Sequence, residues 1–418
     1  ARHEHEDFIN DEWDSFAQLA WLDHRTTGGG WRVAKDFPNL PAWIVKAVGG
    51  TTTHWSGATP RFMAHEWKAR THYGDIEGAN LLDWPIDGDE MAPWYDKAEI
   101  AIGSTHRHGR PALPANNNYK VFANGAERAG YRYYATGPYG TNAEPYDGRP
   151  ASIQDGFNFQ GDKNRSKWST LVREIPRALE TGKLDLRPEC HATRITHDAT
   201  GKVDGVEYLD ASGNLHKQAA RVVCLAGNSI ESPRLLLLSA SSQHPDGLAN
   251  SSGQVGRNYM RHMTGSAYAR FDQPVHMYRG ETMAGIIADE AKLDTGRGFV
   301  GGYYMETLSL GPAFLAAFVE PGEWGRSFTE KMDAYRNTAG MWIVGEDMPQ
   351  ESNRVTLHDS VKDQHGLPVP NVNFDDHPND VAMRNHGYAA ADAIYGAVGA
   401  TGVHHTPPSP ATHNLGTC

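Results

Sequence analysis

One strand–turn–helix segment constrains the fold of this 418-residue chain more than any other feature. Residues 221–225 form an apolar run that predicts a buried strand, and the run ends at Ala226 and Gly227. A helix is predicted over residues 232–239, with Pro233 at the favoured first helical position. Because ligands bind at the ends of such strands in α/β domains, Ala226 and Gly227 are candidates for contacting an anion such as a pyrophosphate. An ordinary strand–turn–helix corner has the same spacing and stays open as the alternative.

Strand and helix patterns alternate on both sides of this segment. Strands are predicted over residues 184–186, 191–196 and 203–209, and helices over residues 85–103, 121–129 and 169–181. Between residues 266 and 361 the pattern changes to short strand candidates separated by turns, and a helix is predicted over residues 381–398. The predicted fold class is therefore α/β (α+β overall), in which a layered domain adjoins a second domain with a mainly antiparallel sheet backed by helices.

Composition and charge exclude several functions. The chain has 39 Lys and Arg against 51 Asp and Glu, a formal net charge of −12, which argues against general binding to nucleic acid or to anionic membranes. Its cysteines, Cys190, Cys224 and Cys418, include no C-x-x-C pair, so neither a disulfide framework nor a metal site is predicted. Cys224 lies in the apolar run and is expected to be buried. No run reaches the roughly 18–20 apolar residues of a membrane span, so no transmembrane segment is predicted.

A second candidate site is the glycine loop, residues 49–57, which follows an apolar, strand-like run at residues 43–48. Gly49 and Gly50 permit a tight turn that exposes backbone N–H groups. Hydroxyl donors are added by Thr51, Thr52, Thr53 and Ser56. Such a loop can bind a polyanion or a planar heterocycle, although it lacks the Lys-[Ser/Thr] ending that a nucleoside triphosphate requires. Taken alone, the loop is equally consistent with a structural turn.

A third candidate lies at the end of the sequence, where His413 precedes a glycine-containing turn. His404 and His405 nearby are expected to lie in a loop. Several segments then occur in a characteristic order: residues 49–62, 226–239, 255–258 with His262, 351–357, 362–370, and His413-x-x-Gly416-Thr417-Cys418. On these motifs the chain resembles the glucose–methanol–choline (GMC) oxidoreductase family of flavoproteins. The resemblance is greatest to the branch of bacterial gluconate, sorbitol and glucose dehydrogenase flavin subunits, with pyranose 2-oxidase more distant. It spans nearly the whole chain.

The resemblance implies a site for flavin adenine dinucleotide (FAD) and the oxidation of an alcohol to a carbonyl. The flavin ring would lie against Gly49, Gly50, Thr51, Thr52, His54, Trp55, Ser56 and Gly57. The backbone of Ala192 would meet the adenine, while Ala226 and Gly227 belong to the segment that matches the family's second signature. His413 occupies the family position of the base that removes the hydroxyl proton as a hydride moves to flavin N5. Imidazole suits this role because its pKa is near neutral.

His54 raises a separate question within the glycine loop. In pyranose 2-oxidase the corresponding histidine is covalently joined to the flavin, so the resemblance favours a covalent bond at His54. The alternative is a loop histidine that packs beside the ring. The sequence alone leaves both interpretations open.

The resemblance also divides the chain into regions. It implies a Rossmann-like FAD-binding domain in residues 1–70 and 169–262, a loop-rich insertion or lid in 71–168, a substrate-binding domain in 263–398, and a return to the active site in 399–418. The family's first strand, with its glycine-rich dinucleotide fingerprint, has no counterpart in this sequence, and a second active-site residue is expected beyond Cys418. The sequence is therefore expected to be a fragment that lacks both ends.

The expected function is that of an FAD-dependent dehydrogenase acting on a sugar, polyol or sugar acid. Expected partners besides the sugar or polyol substrate are a small subunit and a cytochrome or quinone that accepts electrons. Some relatives carry iron–sulfur cysteines in the region that matches residues 146–168, but no cysteine occurs there, so electrons are expected to leave by another route. The alternatives are an oxygen-reducing pyranose-type oxidase and a non-catalytic flavin-binding subunit.

Overall fold

The fold is built from three β-sheets and the helices that pack on them. The structure is a computed structural model, and it describes residues 20–23, 32–33, 45–312, 315, 324–406 and 413–418. The strands are β1 (Ala20–Asp23), β2 (Arg32–Val33), β3 (Tyr134–Ala135), β4 (His191–His197), β5 (Val203–Leu209), β6 (Leu215–Ala219), β7 (Met263–Arg270), β8 (Ile286–Ile287), β9 (Tyr303–Thr307), β10 (Thr338–Gly345), β11 (Arg354–Lys362), β12 (Pro368–Phe374) and β13 (Gly402–Thr406). The helices are α1 (Ala69–Tyr73), α2 (Gly88–Ile102), α3 (Asn117–Arg128), α4 (Glu174–Glu180), α5 (Asn228–Leu238), α6 (Gly325–Asp333) and α7 (Pro378–Ala397).

The largest layer is a six-stranded sheet with the order β13-β7-β10-β9-β8-β3, and every strand pair in it is antiparallel. Helices α3 and α7 pack together against this sheet. Met341 and Ile343 of β10 are fully buried beneath them. The helices approach closely because glycines face the contacts: a Cβ on Gly125 would lie 2.5 Å from the Ile394 carbonyl oxygen. The predicted antiparallel sheet backed by helices is confirmed.

Two smaller sheets complete the described strands. Strands β4, β5 and β6 form a three-stranded antiparallel meander. Strands β11, β12, β1 and β2 form a four-stranded sheet in which β1 runs parallel to β12. Helix α5 contacts both sheets through β4, β11 and β12 and so links them. The mixture of helices with parallel and antiparallel strands agrees with the predicted α/β class.

The predicted helices at residues 85–103, 121–129 and 381–398 are confirmed as α2, α3 and α7. Helix α2 begins at Gly88, three residues after the predicted start, because the side chain of Asp87 accepts a hydrogen bond of 2.9 Å from the Glu90 N–H and caps the helix there. The helix predicted at 169–181 is shorter and spans α4 alone. No helix in the described part of the chain combines the length and the apolar character that crossing a membrane requires. The longest helix, α7, has 20 residues and buries Asp380 and Arg384.

The expected buried strand at residues 221–225 is wrong. A strand exists only through hydrogen bonds to a neighbour, and the described residues place no paired strand beside this segment. Val223 and Leu225 pack against a small core, but Val222 is 82% exposed and Cys224 is exposed as well, so the burial expected for Cys224 is also wrong. Helix α5 begins four residues before the predicted start at residue 232, so Pro233 lies inside the helix.

Three further segments differ from the predictions. Residues 184–186 form no strand, and neither do residues 45–48; Trp43 and Ile44 of that predicted run lie outside the described residues. His404 and His405, expected in a loop, lie on β13. There the His405 ring stacks on Tyr388 and its Nε2 lies 2.8 Å from the Asp392 carboxylate, so side-chain contacts with α7 hold this polar edge strand in place.

Replacement of Asn118 by Ala is expected to destabilise the fold. The fully buried Asn118 side chain donates to the carbonyls of Leu308 (3.2 Å) and Gly340 (3.0 Å) and accepts from the Gly340 N–H (3.1 Å). The Asn118→Ala substitution leaves these backbone groups without partners and should lower the free energy of unfolding by about 2 kcal/mol or more. Urea denaturation measures the loss. The exposed neighbour Asn117, changed to Ala, is the control, and an equal loss in both variants would contradict the assignment.

Candidate active site

The main cavity lies between the glycine loop and the sheet that carries β9 and β10. Its volume is ≈ 230 Å³. The residues that line it come from distant parts of the chain: Trp55, Ser56, Ala58, Pro60, Arg61, Phe62, Glu66, His262, Met283, Ala291, Gly302, Tyr303, Tyr304, Glu306, Val344, Gly345, Glu346 and His413. The structure thus brings Trp55 and Ser56 of the glycine loop and His413 to one cavity. Gly49 to His54 lie outside this lining, although His54 directly precedes Trp55.

His413 packs against two aromatic rings. The ring centroids of His413 and His262 are 5.0 Å apart in an edge-to-face arrangement, and those of His413 and Trp342 are 5.8 Å apart. His262 Nδ1 donates a hydrogen bond of 3.1 Å to the Gly345 carbonyl, which fixes the orientation of the ring. His413 keeps solvent access on its open side, while the protein atoms around it desolvate the imidazole.

Both imidazoles of this pair are uncharged near neutral pH. Burial lowers the pKa of His413 below its ordinary value of 6.5. Burial, together with the neighbouring His413, lowers the pKa of His262 to about 3. A histidine that is unprotonated at neutral pH can accept a proton, so the environment of His413 suits a general base.

The glycine loop uses its own hydroxyl groups to hold its shape. Residues Gly50–Thr53 form a short 3₁₀ helix preceded by Gly49 at φ 100°. The Thr52 hydroxyl donates to the Gly49 carbonyl (2.6 Å), and the Thr53 hydroxyl donates to the Gly50 carbonyl (2.8 Å). These hydroxyl donors are therefore turned inward. The Trp55 and Ser56 side chains line the main cavity, while the Thr51 side chain is exposed.

A second segment, residues 158–170, braces the glycine loop from behind. The Lys167 ammonium group donates to the carbonyls of Thr53 (3.0 Å) and Trp55 (2.5 Å). The Asn158 side-chain amide donates to the Ser56 carbonyl (2.7 Å), and the Thr170 hydroxyl donates to the Gly49 carbonyl (2.8 Å). Lys167 is 2% exposed, and burial lowers its pKa to about 7. A buried cation is thus used to hold two carbonyls of the loop.

The terminal segment, residues 413–418, is held by hydrogen bonds to two other motifs. Leu415 and Met260 exchange backbone hydrogen bonds of 2.8 and 3.1 Å. The Thr417 hydroxyl donates to the Ser229 carbonyl (2.7 Å) at the start of α5, and the Ser229 hydroxyl donates to the Asn414 carbonyl (3.0 Å). Three sequence motifs separated by up to 188 positions therefore meet at one place, next to His413.

The first turn of α5 already has acceptors for several of its N–H groups. The Asn228 side chain accepts from the N–H groups of Ile230 (2.8 Å) and Glu231 (3.2 Å), and the Gly227 N–H donates to the Ser232 hydroxyl (3.1 Å). Glu231 also places a carboxylate in this turn, where Lys46 pairs with it at 3.3 Å. These contacts favour the corner interpretation of Ala226 and Gly227 over a preformed phosphate site.

Ala192 does not reach the main cavity. It is exposed on β4 and lines a separate, open cleft of ≈ 400 Å³. The cleft is bounded by Asp185, Arg187, Cys190, Ala192, Val206, Tyr208 and Gln218. Contact of Ala192 with an adenine stays a prediction.

Three carboxyl side chains face the main cavity and shift toward the protonated state. Burial raises the pKa of Glu306 to about 8. Burial, followed by the hydrogen-bonded carboxyl of Glu346, raises the pKa of Glu66 to about 9, so the pair shares a proton near neutral pH. Glu346 in turn accepts a hydrogen bond of 3.0 Å from the Gly302 N–H.

A cluster of acidic residues lies beside the main cavity, and arginine side chains neutralise its charge. Among the described residues, Asp96, Glu99 and His108 bring three ligand atoms close enough to share a cation. Arg61, however, forms hydrogen bonds of 2.7 Å to both Asp96 and Glu99, and Arg107 lies 3.4 Å from Glu99. The cluster therefore functions as an ion-pair network rather than as a set of free metal ligands.

The residues around the glycine loop fit a planar, polar ring such as a flavin. The loop backbone is rigidly braced, Gly50 leaves open space where a Cβ would point, and Trp55 and Ser56 face the same cavity as the uncharged His413. The Trp168 ring packs edge-to-face on Trp55, and its buried N–H has no hydrogen-bond partner among the described residues, so this donor is available to a polar group of a ligand beside the loop. This fit applies to the ring portion of FAD. It does not extend to the pyrophosphate, because the N–H groups in the first turn of α5 already have acceptors within the protein.

Sequence reasoning missed the residues that complete the site. Lys167 and Asn158 lie in a loop-rich region without a recognisable motif, and only their contacts with the glycine loop give them a role. Glu66, Glu306 and Glu346 carry no spacing signal, because they come from separate elements. His262 belongs to one of the motifs, but its contact with His413 depends on the fold and is not apparent from the sequence.

Comparisons with known proteins agree with the motifs. The models of the N-terminal and C-terminal parts of GMC oxidoreductases match residues 26–264 and 349–418. The chain is 32% identical over 440 residues to a 2-methyl-1,2-propanediol dehydrogenase from Mycolicibacterium austroafricanum, covering 97% of this chain and 77% of that protein. It is 26% identical to the fructose dehydrogenase large subunit of Gluconobacter japonicus, covering 79% of this chain and 62% of the relative. A solved structure of formate oxidase from Aspergillus oryzae has a TM-score of 0.54 at 14% identity, covering 90% of this chain and 71% of that one, and shares the fold.

Replacement of Lys167 by Met is expected to loosen the glycine loop. The variant keeps the length of the side chain but removes the donors to two buried carbonyls, which should lower the free energy of unfolding by about 2 kcal/mol or more. Urea denaturation measures this loss. Lys163→Met, at an exposed position of the same segment, is the control and should change stability by less than about 0.5 kcal/mol. Equal stability of both variants would show that Lys167 does not brace the loop.

Proposed function

The chain belongs to the GMC oxidoreductase family, a class of FAD-dependent alcohol and sugar dehydrogenases and oxidases, and we propose that it oxidises a CH–OH group of a sugar or related polyol to a carbonyl. The observation that carries the proposal is the position of His413, which lines one cavity together with Trp55 and Ser56 of the glycine loop. The cavity accommodates a small polyhydroxy compound next to an uncharged imidazole.

His413 acts as the base in this proposal. Oxidation of an alcohol removes one proton from the oxygen and one hydride from the carbon, and the hydride leaves readily only as the proton is taken up. The unprotonated His413 ring receives that proton. Its lowered pKa and its packing against His262 and Trp342 support this role, since they keep the ring uncharged and oriented toward the cavity.

The glycine loop holds the ring portion of FAD. When bound, the flavin supplies the acceptor for the hydride. The backbone of residues 49–57 and the Trp55 side chain provide the contact surface, while Lys167, Asn158 and Thr170 hold the loop in place. Placement of the ring is thus the task of backbone groups that side chains from another segment keep fixed.

Electrons leave the reduced protein for an acceptor other than oxygen, so that the enzyme is a dehydrogenase. A relative at 32% identity is named a dehydrogenase, and another is named the large subunit of one, which supports this choice and a further subunit or a cytochrome or quinone as acceptor. Stopped-flow mixing of the reduced full-length protein with oxygen tests the choice. Rapid reoxidation would favour the oxidase alternative.

His413→Asn is expected to reduce the rate of alcohol-dependent flavin reduction by roughly 100-fold or more, because Asn cannot accept the proton. The measurement is anaerobic bleaching of the flavin in the full-length, flavin-loaded protein. His404→Asn, on an exposed part of β13 outside the cavity, is the control and should retain the wild-type rate. Undiminished bleaching in the His413 variant would remove this residue from the mechanism.

The pH profile gives an independent check on the base. Because burial lowers the pKa of His413 below 6.5, the ring stays unprotonated on lowering the pH through 6.5. The acidic limb of kcat/KM is therefore expected below pH 6.5 in the wild-type protein. A limb above that value would contradict the assignment of His413.

His54 forms a covalent bond to the flavin in our proposal. Its place directly before Trp55, which lines the cavity, supports this. Acid precipitation of the flavin-loaded, full-length protein should leave the yellow colour in the pellet, whereas the His54→Ala variant should release it. All colour in the wild-type supernatant would contradict the covalent bond without affecting the proposed oxidation.

A further inference from the structure

The main cavity has an excess of acidic groups. Glu66, Glu306 and Glu346 line it, and Arg61 is the one lysine or arginine among its described lining residues. The Arg61 guanidinium is already bound by the carboxylates of Asp96 and Glu99. Both histidines that line the cavity have lowered pKa values and carry no charge near neutral pH. No uncommitted positive charge therefore faces a ligand from the described lining.

Glu306 stands out among the three acidic residues. It is 5% exposed and reaches the cavity, yet no described residue donates a hydrogen bond to its carboxyl or pairs with it. Glu66 and Glu346, by contrast, hydrogen-bond to each other and to backbone N–H groups. A buried polar group without a partner is costly, so Glu306 awaits a partner that a ligand can supply.

The sheet register places this carboxyl on the same side as the proposed base. Glu306 of β9 lies directly opposite Trp342 of β10, and directly opposite residues project from the same face of a sheet. The Trp342 ring in turn contacts His413. A ligand whose alcohol reaches His413 therefore has its other polar groups within the region that Glu306 and Glu346 border.

We propose that the main cavity binds a polyol that carries an ammonium group, that Glu306 holds this group, and that the cavity rejects sugar acids. The proposal rests on the proposed function, because it names the class of alcohol that reaches His413. An ammonium group offers three donors and a positive charge, and thereby supplies the partner that Glu306 lacks. A substrate carboxylate offers acceptors alone, meets no uncommitted positive charge in the described lining, and would further disfavour the ionised form of Glu306.

The protonation of Glu306 agrees with this assignment. Burial raises its pKa to about 8, and no nearby positive charge of the described residues opposes the shift. A cation within hydrogen-bond distance would favour the ionised carboxylate and compensate for its burial. Substrate binding and ionisation of Glu306 would then support each other.

Binding of three matched compounds tests the proposal: aminopropanediol, glycerol and glycerate share a three-carbon skeleton and carry a positive, zero and negative charge. Calorimetry on the full-length protein with its flavin already reduced measures the dissociation constants without turnover. We expect aminopropanediol to bind at least 10-fold more tightly than glycerol, and glycerate at least 10-fold more weakly. In Glu306→Gln, aminopropanediol should lose about 10-fold in affinity while glycerol changes less than threefold.

Glu281→Gln is the matched control. Glu281 is also buried, at 3% exposure, and burial raises its pKa to about 7, but it bonds to Ser152 and lies outside the main cavity. This variant should keep the wild-type ratio of affinities. The proposal would be overturned by any of four results: equal binding of aminopropanediol and glycerol, preference for glycerate, no binding of any compound, or an unchanged ratio of affinities in Glu306→Gln. Failure to oxidise any alcohol would instead contradict the proposed function and leave these affinities interpretable.

Discussion

The candidate site depends on the backbone pairing of Met260 with Leu415. Two hydrogen bonds join the segment that follows α5 to the terminal segment, and the hydroxyl groups of Ser229 and Thr417 add two more. Within the described residues, the Gly256 N–H also donates to the Thr417 carbonyl and the Tyr259 hydroxyl to the Asn414 side chain, and together these contacts hold His413 against His262 and Trp342. The backbone hydrogen bonds of Leu415 fix the main chain two residues from His413. They therefore restrict the position of the His413 ring more than contacts of the side chain alone would.

Desolvation is the second constraint on the site. The glycine loop is held from behind by the buried ammonium group of Lys167, whose charge is partly lost because burial lowers its pKa to about 7. On the other side of the cavity, burial drives Glu306 and the Glu66–Glu346 pair toward their protonated forms. Such groups reduce stability unless a ligand or a neighbour uses them, and perturbed ionisable groups of this kind concentrate at functional sites.

The register of the large sheet links these two features. Side chains at every second position of a strand share one face of the sheet. On one face of this sheet lie residues 304 and 306 of β9, residues 342 and 344 of β10, and residue 346, which directly follows β10. A shift of one residue would turn Glu306 into the helix-packed core and move Met305 into the cavity. The buried Met341 and Ile343 on the opposite face prevent that shift, because they pack beneath α3 and α7. The apolar core thus sets the position of the polar site.

Part of this could be predicted from the amino acids alone. The glycine loop, the α5 segment and the motif at His413 were identifiable because each has a local pattern, and the helices with clear caps and periodicity were found within a few residues. The strand at residues 221–225 was predicted from its apolar composition and is wrong, because a strand requires a neighbour that composition does not reveal. The order of these motifs by itself indicates the family, and the resemblance that they carry is the basis for proposing His413 as the base.

Only the tertiary structure decided which of these motifs meet and what surrounds them. Lys167, Asn158, Glu66, Glu306 and Glu346 lie outside the motifs and acquire their roles through long-range contacts. The pKa values of Lys167 and of the three glutamates follow from burial, and burial is a property of the packed chain rather than of any segment. For this reason the proposed reaction follows from the sequence motifs, whereas the proposed charge preference of the cavity depends on the fold.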